Sequence, residues 1–210
     1  MLSLPLDLLR NEREQQQREQ HAQRAKTAFH FRDVFVDCGT GMSAAALILT
    51  LDWLHRLPFT RVHVLHLAGS PSSSSNTDEE EFLQVLNRCQ DFFLHQLHSA
   101  SSPASSSTSS SFERWTGSLL KERGVRLYRP VDAPSFGSVN QSVLRYVAEF
   151  ACREGILLDP VYSAKLFRLA EEQGRKKEMQ TEDGGCVVIH SGGALALSGF
   201  QKRLARMTFL

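Results

Sequence analysis

The chain has 210 residues, which suffices to bury one sizeable core, whereas two full domains would be tight. Twenty-four Lys and Arg residues against 23 Asp and Glu residues give a formal net charge of +1, so the overall charge favours neither nucleic acid nor an anionic membrane as a partner. No stretch approaches the ~20 consecutive apolar residues of a membrane span, and we therefore expect no membrane segment.

The four cysteines bear on the redox environment. They are widely spaced, form no C-x-x-C pair and fall in or beside apolar runs, at Cys38, Cys89, Cys152 and Cys186. This usage is typical of reduced thiols. We therefore expect an intracellular, cytoplasmic protein.

Low-complexity sequence precedes and interrupts the rest of the chain. The almost wholly polar run 10–26 can form a solvated helix or stay disordered, but it cannot bury a face. The serine-rich stretches at 70–78 and 99–111 offer too little apolar surface to offset the entropy of ordering them. We therefore predict an extension at 1–30 and one α/β domain at 31–210 with flexible insertions at these two stretches.

Apolar periodicity predicts alternating strands and helices in the rest of the chain. Strands are predicted at 34–37, 61–69, 125–130 and 186–190. Helices are predicted from residue 44 onward and at 79–98, 112–123, 142–154, 161–176 and 194–207. Apolar strands that alternate with helices are typical of a parallel sheet covered on both faces. The predicted fold class is therefore α/β, with an open, mostly parallel sheet flanked by helices.

The first segment with residues suited to ligand binding is the glycine loop, Gly39-Thr40-Gly41-Met42-Ser43, between a predicted strand and helix. Such a loop directs backbone N–H groups and the positive end of a helix dipole toward one point, where a phosphate can bind. The hydroxyls of Thr40 and Ser43 can add hydrogen bonds. A tight strand-to-helix turn needs glycine in any α/β protein, so the loop alone leaves a purely structural role open.

The second segment is 155–165, in which an apolar run typical of a strand meets Asp159-Pro160 and then a helix. Aspartate and proline near a helix start form a good N-terminal signal, so a capped helix explains these two residues. It does not explain why Tyr162 is followed by two small residues. That arrangement would let a flat ring lie close to the backbone.

The third segment is 186–197, where a predicted strand ends in His190-Ser191-Gly192-Gly193 and leads into a helix. Ligands of open α/β sheets bind at the carboxyl ends of the strands, where this loop and the glycine loop would both lie. Their convergence predicts a binding site. His190 taken alone is more often a structural histidine than a catalyst.

These three segments, in this order, resemble the second half of the D-cysteine desulfhydrase and 1-aminocyclopropane-1-carboxylate (ACC) deaminase family. This family belongs to the tryptophan-synthase-β-like enzymes, which use pyridoxal 5′-phosphate (PLP). The resemblance covers about residues 31–200 and is carried by Asp-Pro-Val-Tyr with a later lysine at 159–165, and by His-Ser-Gly-Gly at 190–193, where the family has His-Thr-Gly-Gly. It implies a partial tryptophan-synthase-β-like fold and a PLP cofactor.

The resemblance also implies roles for individual residues. The glycine loop corresponds to the segment that holds the PLP phosphate, and Tyr162 to the active-site tyrosine beside the cofactor. Ser163 stands near the pyridine nitrogen, where the deaminases have an acidic residue and the desulfhydrases usually a threonine. Ser191 stands for the threonine of the family motif and lies near the same nitrogen.

Two departures from the family pattern favour release of sulfide over opening of a cyclopropane. A hydroxyl at Ser163 cannot stabilise pyridinium charge as a carboxylate does, so the ring is expected to be a weaker electron sink. Phe136 stands where the family has a tyrosine, so a phenolic proton donor is missing. The expected activity is that of a PLP-dependent lyase or deaminase on small amino acids, with D-cysteine desulfhydration favoured.

The sequence lacks a match for the catalytic lysine. In the family, the lysine that forms a Schiff base with PLP lies well ahead of the phosphate loop, and the context of Lys26 does not match it. Lys165 matches a family lysine on the helix after the tyrosine, and that lysine is not the Schiff-base residue. We therefore expect a fragment that cannot turn over an amino acid by itself. The alternative is a catalytically inactive relative that binds PLP or another phosphorylated ligand and serves as an interaction module.

A metal site is a further alternative that the histidine spacing argues against. His63 and His66 lie three apart on a predicted strand and therefore point to opposite faces. His95 and His98 can share a metal on a helix, but no third ligand is apparent, so we expect no metal. Homodimerisation is implied by the family resemblance only.

Overall fold

The computed structural model describes residues 31–67, 75–100, 113–176 and 185–206. The predicted extension at 1–30 and most of both serine-rich stretches lie outside these described residues. A helix begins at Ser75, inside the first predicted insertion, so this end of the insertion is part of the folded domain. In the described part of the chain, no helix is both long enough and apolar enough to span a membrane.

Four strands and six α-helices make up the described fold. The strands are β1 (Phe31–Cys38), β2 (Arg61–His66), β3 (Val125–Tyr128) and β4 (Gly185–Val188). The α-helices are α1 (Met42–Trp53), α2 (Ser75–Ala100), α3 (Gly117–Glu122), α4 (Gln141–Glu154), α5 (Ser163–Gly174) and α6 (Gln201–Leu204). Short 3-10 helices occupy Leu57–Phe59 and Ala194–Phe200.

The strands form one parallel sheet in the order β3-β2-β1-β4. Val34 pairs with Val62 on one side of β1 and with Val187 on the other, so β1 is hydrogen-bonded along both edges. Helices connect the strands because parallel neighbours need crossover connections. The predicted α/β class with an open parallel sheet is therefore confirmed.

Helices cover both faces of this sheet. Alternate residues of β1 and β2, such as Val36 and Val64, face α1, α2 and α3 and form the larger buried cluster with residues such as Ile48. Phe35 and Leu65 face the other way and pack with Leu166 of α5. Burial on both faces favours apolar side chains, which explains the apolar run Val34-Phe35-Val36 at the centre of β1.

His63 and His66 lie on opposite faces of β2, as predicted. Nε2 of His63 lies 2.8 Å from Oδ1 of Asp33, and its Nδ1 lies 3.0 Å from the hydroxyl of Tyr128. His66 instead faces α2, where its Nδ1 lies 3.7 Å from Oδ1 of Asp78. The residues that the structure describes contain no group of three or more potential metal ligands.

Two helices differ from the ranges predicted for them, so those two predictions are wrong. The helix predicted at 112–123 is reduced to α3, because Thr116 caps it by accepting a hydrogen bond from the Leu119 N–H at 3.2 Å. The segment predicted as a helix at 194–207 is a 3-10 helix followed by the single turn of α6. Leu195 is 91% exposed, so this segment lacks the buried face that stabilises a longer helix.

A buried charge network joins β1 to β2 on the face covered by α5. Asp33 accepts hydrogen bonds from Nε and Nη2 of Arg61 at 2.8 and 2.9 Å, in addition to its contact with His63. Burial by itself would raise the pKa of Asp33, but the hydrogen bonds from His63 and Arg61 outweigh burial and lower the pKa to about 2. The ionised carboxylate is therefore the form that the fold stabilises.

This network predicts a loss of stability in acid. Since the pKa of Asp33 in the folded protein lies below its ordinary value of 3.8, the carboxylate stabilises the fold above about pH 4, and this contribution disappears as the pH falls toward 2. We expect the free energy of unfolding to fall by about 2 kcal/mol more in the wild type than in Asp33→Asn over this range. Urea denaturation followed by circular dichroism measures both.

The matched control for this experiment is Asp91→Asn. Asp91 forms an exposed ion pair with Arg114, so its substitution should leave the acid dependence of stability as in the wild type. Identical acid dependence in Asp33→Asn and the wild type would contradict the prediction.

Candidate active site

The glycine loop runs from the carboxyl end of β1 into the first turn of α1, which contains Met42 and Ser43. Gly41 is the N-cap of α1 and has a φ of 86°, a left-handed conformation that favours glycine. Among the described residues, no side chain caps α1 by a hydrogen bond, and the first turn contains no acidic residue. Thr40, Met42 and Ser43 are exposed. The start of α1 therefore presents its N–H groups and positive dipole to an anion from outside.

Tyr162 packs directly against the glycine loop. A Cβ atom built on Gly39 would lie 3.2 Å from Cε1 of Tyr162 and 3.7 Å from its hydroxyl oxygen. Because such a Cβ contact is tighter than normal packing, the ring occupies the space that a side chain at Gly39 would need. The structure therefore places the Tyr162 ring against the glycine loop.

Asp159 holds Tyr162 in place by capping α5. Its carboxylate accepts hydrogen bonds from the backbone N–H groups of Val161, Tyr162 and Ser163 at 2.8, 3.0 and 2.7 Å. Both Asp159 and Ser163 are fully buried. The apolar run before Asp159 forms no strand, and only Leu158 of that run is buried. The capping role predicted for Asp159 is therefore confirmed.

The hydroxyl of Ser163 belongs to the same capping arrangement. It lies 3.0 Å from Oδ2 of Asp159 and accepts a hydrogen bond from the Asp159 N–H at 2.8 Å. These contacts engage the hydroxyl within the turn and leave it no exposed surface. The cofactor-binding role of Ser163 stays a prediction, and the structure gives this residue a capping role as well.

The loop after β4, residues 190–193, reaches the same edge of the sheet. Oγ of Ser191 lies 3.3 Å from Oδ2 of Asp37, the penultimate residue of β1. A Cβ atom built on Gly193 would lie 3.3 Å from Cγ of Asp159, so the loop also packs on the turn that holds Tyr162. The glycine loop, Tyr162 and Ser191 are therefore brought together, as the sequence predicted for the two loops.

Asp37 is a candidate that sequence reasoning missed. It is half-buried, and burial raises its pKa; the neighbouring Asp159 carboxylate raises the pKa further, whereas Ser191 and His190 lower it. The signal in the sequence was an acidic residue at the end of the predicted strand 34–37, two residues before Gly39. A carboxylate in such surroundings is a candidate for chemistry, because it gains from a nearby positive charge.

The thiol beside Asp37 is not a nucleophile. Cys38 is buried against the helices on the opposite face of the sheet, and burial raises the pKa of its thiol to about 12. All four cysteines of the chain are described, and none forms a disulfide. Cys38 therefore fills the core below the glycine loop.

The described lysines make contacts away from the glycine loop. Nζ of Lys165 is buried and donates a hydrogen bond to the carbonyl of Ala133 at 2.8 Å, and burial lowers the pKa of this amine. Lys121 pairs with Glu79 on the surface, and Lys202 is exposed on α6. Among the described contacts, none joins a lysine amine to the glycine loop or to Tyr162.

Phe136 contacts the ring of Tyr162. The two rings meet edge to face with their centroids 6.1 Å apart, and Phe136 is exposed. A phenol at this position would add a hydroxyl next to Tyr162. The ring of Phe136 instead contributes an apolar edge to the site.

Comparison with known proteins supports the resemblance over part of the chain. No family model matches the sequence. The chain is 34% identical over 80 residues to D-cysteine desulfhydrase from Serratia proteamaculans and, over the same length, to the enzyme of that name from Yersinia enterocolitica. Each match covers 38% of this chain and 24% of the relative, so the chain matches about a quarter of the length of these curated relatives.

A solved structure supports the fold over a larger share of the chain. The crystal structure of an ACC deaminase homologue superposes with a TM-score of 0.58 at 19% identity, and the match covers 83% of this chain and 43% of that chain. At this identity the match shows a shared fold. The chain is thus similar over part of its length to D-cysteine desulfhydrases and shares the fold of an ACC deaminase homologue, in agreement with the resemblance of its three motifs.

Proposed function

We propose that this chain is the PLP-binding part of a lyase that eliminates sulfide from a small amino acid, with D-cysteine as the favoured substrate. The observation that carries this proposal is the meeting of the glycine loop, Tyr162 and Ser191 at one edge of the sheet. A helix start without a side-chain cap suits a phosphate, and a flat ring against the backbone suits a second flat ring. The chemistry of these groups fits a phosphorylated aromatic cofactor.

Each group at the edge has a distinct proposed role. The N–H groups at the start of α1, with the hydroxyls of Thr40 and Ser43, hold the phosphate. Tyr162 orients the aromatic ring, and the Asp159 cap fixes the position of Tyr162. Ser191 offers a hydrogen bond to a polar atom of the ring. When bound, PLP supplies an aldehyde that combines with amines and a ring that withdraws electrons from the substrate.

The preference for sulfide release is supported by the side chains around Tyr162. Phe136 cannot donate a proton, and Ser163 is a neutral residue whose hydroxyl is engaged by Asp159. Sulfide is a good leaving group and depends less on assistance from these positions than the carbon–carbon bond of a cyclopropane does. The relatives named D-cysteine desulfhydrase support the same preference.

A catalytically inactive binding module is the second candidate. It is favoured by the contacts of the described lysines, none of which involves the glycine loop or Tyr162. Such a module would retain PLP through its phosphate and ring without a covalent bond. The two candidates share the cofactor and differ in turnover.

Substitution of Gly39 tests the cofactor site. In Gly39→Ala the new methyl group would displace the Tyr162 ring, so we expect PLP to bind at least about tenfold more weakly, as measured by isothermal titration calorimetry. The control is Gly174→Ala, where a Cβ atom meets nothing within 4 Å. Equal affinity in both variants, or no binding of PLP to the wild type, would contradict the proposed site.

Reduction with borohydride tests the covalent state of PLP. We expect peptide mapping to show no pyridoxyl group fixed on one specific lysine, and Lys165 in particular to stay unlabelled because its amine is buried and bonded to Ala133. The exposed Lys202 reports the background of nonspecific reaction. A stoichiometric adduct on one lysine would overturn the expectation that the chain lacks the Schiff-base residue.

Turnover assays distinguish the two candidate functions. In a protein that joins this chain to a segment carrying the Schiff-base lysine, with PLP added, we expect faster release of sulfide from D-cysteine than of ammonia from ACC, because Phe136 supplies no phenolic proton. Phe136→Tyr should increase the ACC rate relative to the D-cysteine rate. A faster reaction with ACC in the wild type would contradict the preference, and the absence of both products would favour the binding module.

A further inference from the structure

Asp37 and Ser191 form a hydroxyl–carboxylate pair at the carboxyl edge of the sheet. Asp37 projects to the face covered by α5, while Ser191 is exposed, with 3.3 Å between its Oγ and Oδ2 of Asp37. The exposed hydroxyl therefore has a half-buried carboxylate behind it. When the hydroxyl donates to the carboxylate, the lone pairs of its oxygen are left to accept a hydrogen bond from a ligand.

The carboxylate and the hydroxyl at the start of α5 are already engaged. Asp159 is fully buried and accepts three backbone hydrogen bonds at the start of α5. The hydroxyl of Ser163 is fully buried and bonded to Asp159. Of these two hydroxyl–carboxylate pairs in the described part of the site, Ser163 with Asp159 is buried, and Ser191 with Asp37 is the pair whose hydroxyl is exposed.

We propose that Asp37 acts through Ser191 as a positioning residue that keeps the ring nitrogen of bound PLP protonated. This inference rests on the proposed cofactor site. The proton stays on the ring nitrogen, whose N–H donates to Oγ of Ser191, and the Ser191 O–H donates to the Asp37 carboxylate. No bond is formed or broken in this arrangement. The sequence had predicted a weakly electron-withdrawing ring from Ser163. If Asp37 supplies the charge that Ser163 lacks, the preference for sulfide release rests on Phe136 and not on Ser163.

The electrostatic surroundings of Asp37 support this role. Burial and the Asp159 carboxylate raise the pKa of Asp37, so its ionised form is poorly stabilised without a further positive charge. His190 and Ser191 offset this only in part. A protonated ring nitrogen would provide that charge, and by reciprocity the carboxylate would raise the pKa of the nitrogen.

Pyridoxine 5′-phosphate is the probe that tests the inference. It carries the phosphate and the ring nitrogen but no aldehyde, so it binds without a lysine. The pKa of its ring nitrogen in the complex is measured by absorbance titration. We expect Asp37→Asn to lower this pKa by at least about 1, because a charge acting through one hydroxyl at low effective dielectric is worth that much or more.

Three further variants test the interpretation. Ser191→Ala should lower the pKa of the ring nitrogen in the same direction, and the double variant should lower it by less than the sum of the single shifts, because the two residues act as one pair. Asp52→Asn is the matched control, since Asp52 lies on α1 in an ion pair with Arg123. It should leave the pKa of the ring nitrogen unchanged.

The outcomes separate the inference from the proposed function. If the probe binds and its ring pKa is the same in the wild type, Asp37→Asn and Ser191→Ala, the role of Asp37 is overturned while the cofactor site stands. An equal shift in Asp52→Asn would likewise overturn it. If the probe does not bind to the wild type, both the cofactor site and the role of Asp37 fail.

Discussion

Parallel pairing of β1 with both β2 and β4 is the constraint on which the rest of the structure depends. This pairing gives β1 a hydrogen-bonded neighbour on each side. Because the strands are parallel, the loops that follow β1 and β4 both begin at the carboxyl edge of the sheet. Asp37 and Ser191 are 154 residues apart in the chain, yet their side chains meet there. The candidate site is thus a consequence of strand order, as is general for ligand sites of open α/β sheets.

Three carboxylates near the sheet face covered by α5 differ because their neighbours differ. Asp33 is buried but receives hydrogen bonds from Arg61 and His63, so its charge stabilises the pairing of β1 with β2. Asp159 receives backbone N–H groups and fixes the start of α5. Asp37 has the weakest compensation for burial and stands beside the candidate site. The charges of Asp33 and Asp159 are thus compensated within the fold, whereas the proposed role of Asp37 leaves its charge to be compensated by a ligand.

The similarity to known proteins extends over more of the chain in fold than in sequence. The sequence match covers about a third of the chain, and the fold match covers most of it. Such a pattern is expected when an α/β framework is shared more widely than its side chains. What this chain binds and catalyses therefore has to be argued from Tyr162, Ser191 and the glycine loop themselves, and the proposed PLP site rests on their geometry.

The sequence by itself determined the α/β class, the glycine turn after β1, the capped start of α5 and the opposite orientation of His63 and His66. These are local properties, since strand and helix periods and the conformational needs of glycine are set by neighbouring residues. Only the tertiary structure decided that Tyr162 packs on Gly39, that Ser163 is buried in the cap, and that Asp37 lies behind Ser191. Such contacts join distant parts of the chain, and they depend on strand order and register, which local patterns do not specify.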